Sequence, residues 1–126
     1  MMKNLKQSIT VNKPVEDVFA FTINPANTPK WVDSIIIEET NEWPVKLGSV
    51  YRNQNQAGEW SEYTLTVFEP VKTFTLTQFD GNYLRYTFVK HDENSTELIY
   101  EWLGDELEES ELKEILEKLK LVIETK

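Results

Sequence analysis

The chain has 126 residues, 40% hydrophobic and 28% charged, as is ordinary for a globular protein. Its formal net charge of −9 opposes binding to nucleic acids, whose phosphates are held by lysine and arginine. It has no cysteine and one histidine, which excludes disulfides, thiol nucleophiles and Cys/His zinc sites. We therefore expect one domain over residues 1–126, with no nucleic-acid partner, metal or other cofactor.

The expected location is the cytoplasm. No stretch approaches the roughly 18 apolar residues of a membrane-spanning helix, so we expect no stable membrane insertion. The segment Met1–Lys6 is basic, but no apolar stretch follows it, so we expect no secretory signal. The lack of cysteine is typical of a reducing compartment. We expect a monomer or a weak homodimer.

The chain begins with a predicted strand and two short helices. Leu5–Val11 alternates between apolar and polar residues, as a half-buried strand does. Pro14 suits the first turn of a helix, with Asn12 or Lys13 as its cap. A second helical segment of one or two turns leads to Trp31, which we expect to anchor it. The buried face of the first helix is predicted to contain Val15, Val18, Phe19 and Thr22.

Six strands and a long helix are predicted to follow. The turns at Ala57-Gly58 and Asp80-Gly81-Asn82 are good hairpin signals. The strands are predicted at Ser34–Glu42, Ser49–Gln56, Glu59–Glu69, Thr73–Phe79, Tyr83–Lys90 and Ser95–Leu103. In Leu107–Glu124, apolar residues recur at helical spacing and form one stripe. That stripe needs a partner surface, because burying it is worth roughly 10–20 kcal/mol gross.

Alternation within the strands assigns their faces. Threonine suits a solvent-exposed strand face, so the residues on the other face of each strand are placed inward. This face is predicted to carry Tyr63, Leu65, Val67, Phe74, Leu76, Gln78, Leu84, Tyr86, Phe88, Leu98, Tyr100 and Trp102, joined by Tyr51 and Asn53. Arg85 and Glu101 then point outward, and we expect Arg85 to form a surface ion pair. An antiparallel sheet with one apolar face, covered by a helix with one apolar stripe, gives a two-layer α+β fold.

Several segments, in this order and spacing, resemble the START/Bet v1-like (SRPBCC) superfamily, in its bacterial polyketide cyclase/dehydrase-type branch. They are Ile9–Phe21, Asn24-Pro25 followed by Trp31, Gly48–Arg52, Tyr63–Pro70 and Ser95–Leu98. The resemblance implies a helix-grip fold, in which a curved antiparallel sheet of six to seven strands wraps the C-terminal helix and two short helices close one end. It also implies a hydrophobic cavity between sheet and helix for lipids, sterols or polyketides. The chain departs from the family in being short and in having Asn24 where aspartate is common.

The inward side chains and the helix stripe form the predicted ligand site. Buried tyrosine hydroxyls and amides need partners, which a ligand can supply, although rings of this kind can also simply fill a core. The predicted lining is Tyr51, Asn53, Tyr63, Phe74, Gln78, Tyr86, Phe88, Tyr100, Trp102, Leu112, Leu116 and Leu119. His91 lies in a polar turn, and no catalytic residue is predicted.

Three functions stay open at this point. The first is binding or transport of a small hydrophobic molecule between the sheet and the C-terminal helix. The second is a cyclase or dehydratase whose tyrosines orient or protonate an enolisable, polyketide-like substrate. The lack of a predicted inward carboxylate–histidine pair counts against it. The third is a protein-interaction module of the co-chaperone kind, which a fully packed interior would favour.

Overall fold

The computed structural model describes residues 3–104 and 107–125. Its helices are α1 (Val15–Ile23), a 3₁₀ helix (Pro25–Lys30) and α2 (Glu109–Glu124). Its strands are β1 (Lys3–Val11), β2 (Ile35–Thr40), β3 (Val50–Asn55), β4 (Trp60–Glu69), β5 (Thr73–Thr77), β6 (Tyr83–Asp92) and β7 (Ser95–Gly104). Among the described residues, no helix has the length and apolar character needed to cross a bilayer.

The seven strands form one antiparallel sheet in the order β1-β7-β6-β5-β4-β3-β2. Strands β2 to β7 follow one another as neighbours because short turns join them. Strand β1 pairs with β7, so α1 and the 3₁₀ helix carry the chain from one edge of the sheet to the other. The predicted α+β architecture, with a curled sheet and a C-terminal helix, is confirmed.

Helix α2 packs its apolar stripe against the sheet. Leu112, Leu116, Leu119 and Ile123 are buried, whereas Leu121 on the opposite side is 62% exposed. The helix begins with a capping box, in which the Glu108 and Glu111 side chains each bind the other's backbone N–H. The predicted stripe is confirmed, and the helix begins two residues later than predicted, with Leu107 packed partly against the core before it.

Hydrogen bonds tie the last turn of α2 to the end of β1. The Glu124 carboxylate accepts a 2.7 Å bond from the Asn12 backbone N–H and a 2.6 Å bond from Lys120 Nζ. Lys120 Nζ also donates to the Thr10 carbonyl at 2.7 Å. The bond from Lys120, followed by that from Asn12, lowers the pKa of Glu124 below its ordinary value. The carboxylate form therefore fastens the helix end to the connection between β1 and α1.

Two local predictions are wrong. Pro14 itself occupies the N-cap of α1, where Asn12 or Lys13 was expected, and no side chain caps the helix. Val67, predicted inward, is 37% exposed, because the pairing of β4 with β5 shifts register between Leu65 and Val67. A bulge of this kind swaps the faces beyond it. Phe68 is the residue that turns inward, and its ring stacks 6.3 Å from that of Phe19.

We predict that Leu116→Ala lowers the free energy of unfolding by about 2–5 kcal/mol, because it leaves a cavity between α2 and the sheet. Leu121→Ala is the matched control. The same change on the exposed face should stay within about 0.5 kcal/mol of the wild type. Urea unfolding followed by circular dichroism measures both. Equal effects of the two substitutions would contradict the packing of the stripe.

Candidate functional site

A small pocket of about 70 Å³ lies between the sheet, the end of α1 and the 3₁₀ helix. By the space that a buried water needs, it holds several waters or a small organic group. Its lining combines aromatic rings, aliphatic side chains and a few polar groups. The lining residues are Thr22, Thr28, Val32, Ile35, Glu38, Tyr51, Asn53, Tyr63, Phe74, Leu76, Leu84, Tyr86 and Tyr100. We call this set the Glu38 pocket.

Glu38 is the one acidic residue among the described residues of this lining, which include no lysine, arginine or histidine. It lies on the edge strand β2, just beyond a register shift between Ile35 and Ile37. Its carboxylate accepts a 2.6 Å bond from Thr28 Oγ1 and a 3.0 Å bond from Asn53 Nδ2. Burial raises the pKa of Glu38 above its ordinary value, and these two hydrogen bonds offset part of the rise. The carboxylate thus links the 3₁₀ helix to the sheet and also faces the pocket.

Two tyrosines in the pocket differ in their hydrogen bonding. Tyr51 donates a 2.7 Å bond to the Ile23 carbonyl, which ties β3 to the end of α1. The Tyr63 hydroxyl has no hydrogen-bond partner among the described residues. Burial, followed by the nearby Glu38 and Asp80 carboxylates, raises the pKa of Tyr63 to about 12. Tyr63 therefore keeps its proton at neutral pH and is available to donate it to a bound molecule.

Stacked rings form the deep wall of the pocket. Phe74 stacks on Tyr86 with centroids 4.4 Å apart, and Tyr100 meets Tyr86 edge-on at 5.0 Å. Burial raises the pKa of both tyrosines well above the ordinary value. Trp31 packs edge-on behind Tyr86 at 6.4 Å, and its buried Nε1 has no partner among the described residues. This wall is rigid and aromatic, and its phenols are neutral.

The structure brings together six of the twelve predicted lining residues. Those that line the Glu38 pocket are Tyr51, Asn53, Tyr63, Phe74, Tyr86 and Tyr100. Phe88, Leu112, Leu116 and Leu119 are buried in the core outside its lining, and Trp102 is half-buried on β7. Gln78 lies beyond the end of β5, where its backbone N–H binds the Asn82 carbonyl. The pocket therefore lies under the 3₁₀ helix, away from the α2 stripe.

Sequence reasoning missed seven of the lining residues, which are Glu38, its partner Thr28, Thr22, Val32, Ile35, Leu76 and Leu84. In Ser34–Glu42 the run Ile35-Ile36-Ile37 breaks the alternation of a half-buried strand, and a bulge resolves it. Ile36 and Ile37 are exposed at the sheet edge, while Glu38 turns toward the pocket. The three consecutive isoleucines were the available sequence signal of a bulge, but their pattern does not identify which residue the bulge turns inward.

A larger cleft of about 450 Å³ lies open to solvent between α1 and the end of α2. Its lining residues are Lys13, Asp17, Ala20, Phe21, Asn24, Asn27 and Ile123. The amides in it serve local structure. Asn24 accepts a 3.0 Å bond from the Ala26 N–H, and Asn27 donates a 3.1 Å bond to the Phe21 carbonyl. The other polar residues of the cleft, Lys13 and Asp17, belong to opposite charge classes, and the cleft is open to solvent, unlike the Glu38 pocket.

The charged residues that were predicted to point outward lie away from both cavities. Arg85 forms the surface ion pair expected of it, and the structure identifies Glu101 as its partner, with Arg85 Nη1 3.9 Å from the carboxylate. Arg85 Nε also donates to Thr75 Oγ1 at 3.1 Å. Thr75, predicted on the wet face, is buried beneath this arginine. His91 lies on the exposed end of β6, 3.3 Å from Glu97. None of these residues lines the pocket.

We predict that Glu38 makes the stability of the protein depend on pH. Because its pKa is raised by folding, the folded state binds the proton more tightly than the unfolded chain does. The wild type should therefore gain stability relative to Glu38→Gln as the pH falls from 7 toward the ordinary glutamate pKa. Urea unfolding of both proteins at several pH values measures the difference. Glu39→Gln controls for the change in net charge, and a constant or opposite difference would contradict the prediction.

Comparison with known proteins gives a likeness in structure only. No family model matches the sequence, and no curated protein matches it. A START superfamily protein from Mycobacterium smegmatis superposes with a TM-score of 0.75 at 13% identity, covering 97% of both chains. A protein from Deinococcus radiodurans gives 0.74 at 18% identity over 98% of both chains.

Ara h 8.0201 superposes with a TM-score of 0.65 at 12% identity, over the full length of both chains. At such identities a structural match establishes the fold and leaves the function open. The three matches span nearly the whole chain, in agreement with the strand order and the position of α2 described above. The chain therefore has the START/Bet v1-like helix-grip fold, as its sequence resemblance predicted.

Proposed function

We propose that the protein binds a small molecule in the Glu38 pocket. The observation that carries this proposal is that the Glu38 carboxylate and the Tyr63 phenol, which has no hydrogen-bond partner among the described residues, line one pocket beside an aromatic wall. Binding sites for small molecules commonly combine an apolar lining with a few placed polar groups. Phe74, Leu76 and Leu84 offer the apolar contacts, while Glu38 and Tyr63 offer the polar ones.

The pocket's size narrows the expected ligand. A volume of about 70 Å³ lies well below the roughly 300 Å³ at which drug-sized sites begin. A whole sterol, lipid or polyketide does not fit this space. The pocket instead suits a small molecule, or the end group of a larger one whose remainder stays outside. Its position under the 3₁₀ helix differs from the cavity between the sheet and the C-terminal helix that the sequence predicted.

Acid–base catalysis is a second candidate, because a carboxylate does face the pocket. The Glu38 carboxylate would take the α-proton of an enolisable ketone, and a tyrosine phenol would donate a hydrogen bond to the enolate oxygen. Return of the proton from Glu38 to carbon restores both groups, so no other reactant is consumed. The raised pKa of Glu38 favours this candidate, since a stronger base takes a carbon-bound proton more readily.

We predict that Val32→Phe abolishes binding of small aromatic alcohols, ketones and amines, because the larger ring fills the pocket that Val32 lines. Val89→Phe is the matched control, since Val89 is 38% exposed and lies outside the pocket lining. Two-dimensional NMR titration detects even millimolar binding. Compounds that shift the resonances of Asn53 and Tyr63 in the wild type and Val89→Phe, and not in Val32→Phe, support the proposal. Equal binding by all three proteins would refute it.

We predict for the second candidate that the protein accelerates exchange of the α-protons of acetone into deuterium oxide. Glu38→Gln should lose the acceleration by about a hundredfold or more, since the base is removed. Loss of the acetone methyl signal in proton NMR measures the rate. Glu39→Gln, which removes the neighbouring exposed carboxylate, should exchange at the wild-type rate. A wild-type rate equal to that of buffer would exclude this reaction and leave binding unaffected.

A further inference from the structure

The described lining of the Glu38 pocket has an acidic side chain and no basic one. Glu38 is the acidic residue, and no lysine, arginine or histidine is among the described lining residues. A second carboxylate, Asp80 on the turn between β5 and β6, lies near enough to Tyr63 to raise the pKa of its phenol. The remaining polar groups of the lining are hydroxyls and one amide. Among the described residues, the lining thus offers one carboxyl group and no cationic side chain.

The hydrogen bonds of Glu38 leave it with accepting capacity. Thr28 binds one carboxylate oxygen and Asn53 binds the other. A carboxylate offers about four lone-pair sites, so about two stay open for further donors. Its two present partners are neutral and leave its charge uncompensated. A half-buried charge in this state gains most from a cationic donor, because charge-assisted hydrogen bonds are roughly twice as strong as neutral ones.

Electron-rich rings surround the same space. Tyr51, Tyr63, Tyr86 and Tyr100 all interact electrostatically with Glu38. Phenol rings attract cations through their faces, and the attraction grows when the cation leaves water. An anion that enters this pocket would be repelled by the Glu38 carboxylate. It would also lose its hydration, and no cationic side chain of the described lining would offset that cost. The Glu38 carboxylate and the phenol rings therefore both favour a positively charged ligand.

We propose that the Glu38 pocket selects ligands that carry a protonated amine, with the ammonium group donating to Glu38 and the alkyl part lying against the aromatic wall. This inference rests on the proposed binding function and names the chemical class of its ligand. It also excludes ligands whose buried end is a carboxylate or a phosphate. Glu38 is the residue that determines this specificity, through its carboxylate.

Three probes that share an isopropyl group and differ in charge test the inference, and the cation and the alcohol among them are near-isosteric. They are isopropylammonium, isopropanol and isobutyrate, titrated separately at pH 8 and at constant ionic strength into nitrogen-15-labelled protein. The shifts of pocket resonances, such as the Asn53 side-chain amide, give each dissociation constant. In the wild type we expect the cation to bind about tenfold more tightly than the alcohol, the gain expected of a charged hydrogen bond, and isobutyrate to bind most weakly.

Two variants separate the local charge from the general acidity of the chain. Glu38→Gln keeps the shape and should remove the preference for the cation while isopropanol still binds. Glu39→Gln removes an equal charge one residue away, where the side chain is exposed and pairs with Arg52 at 2.7 Å, and should keep the preference. If Glu38→Gln does not fold, the ranking of the three probes by the wild type still decides whether the pocket prefers the cation.

The outcomes are distinct. Equal binding of cation and alcohol, preference for isobutyrate, or a cation preference that survives in Glu38→Gln would overturn the selection of amines and leave small-molecule binding intact. Failure of all three probes to move pocket resonances would also overturn it. The binding function itself is decided separately, by the wider set of compounds tested against Val32→Phe and Val89→Phe.

Discussion

Burial of the α2 stripe against the sheet is the constraint on which the rest of the structure depends. A helix with one apolar face and a sheet with one apolar face each expose too much hydrocarbon alone, and each supplies the surface the other lacks. Leu112, Leu116 and Leu119 are fully buried in this contact. The bonds of Glu124 to Lys120 and to the Asn12 N–H then fix where the helix ends on β1.

That contact also decides where a pocket can exist. Because α2 fills the sheet's apolar face with close-packed leucines, space remains near β2 and β3, where α1 ends and the 3₁₀ helix begins. This covering segment is held by polar contacts, from Tyr51 to the Ile23 carbonyl and from Thr28 to Glu38. A pocket held in this way is small and polar on one side, in contrast to the hydrophobic cavity between sheet and helix that the resemblance implies.

Glu38 has both a structural and a chemical role at this site. Its hydrogen bonds with Thr28 and Asn53 join the 3₁₀ helix to the sheet, and the same burial that makes those bonds valuable raises its pKa. Such a residue lowers stability above its pKa, because burial disfavours its charged form. Buried polar groups that carry such a cost are common at functional sites. The phenols nearby stay neutral, so Glu38 dominates the electrostatics of the pocket.

The sequence by itself determined the order of elements, the antiparallel sheet, the stripe of α2 and most inward-facing residues, because periodicity reports burial directly. Six pocket residues, among them Tyr51, Tyr63 and Tyr100, followed from alternation within their strands. The tertiary structure alone decided what depends on bulges and on distant contacts. Register shifts turned Val67 outward and Glu38 inward, and the sequence holds no period that locates them. The partners of Glu38 lie 10 and 15 residues away in the chain, and folding alone brings them to its carboxylate.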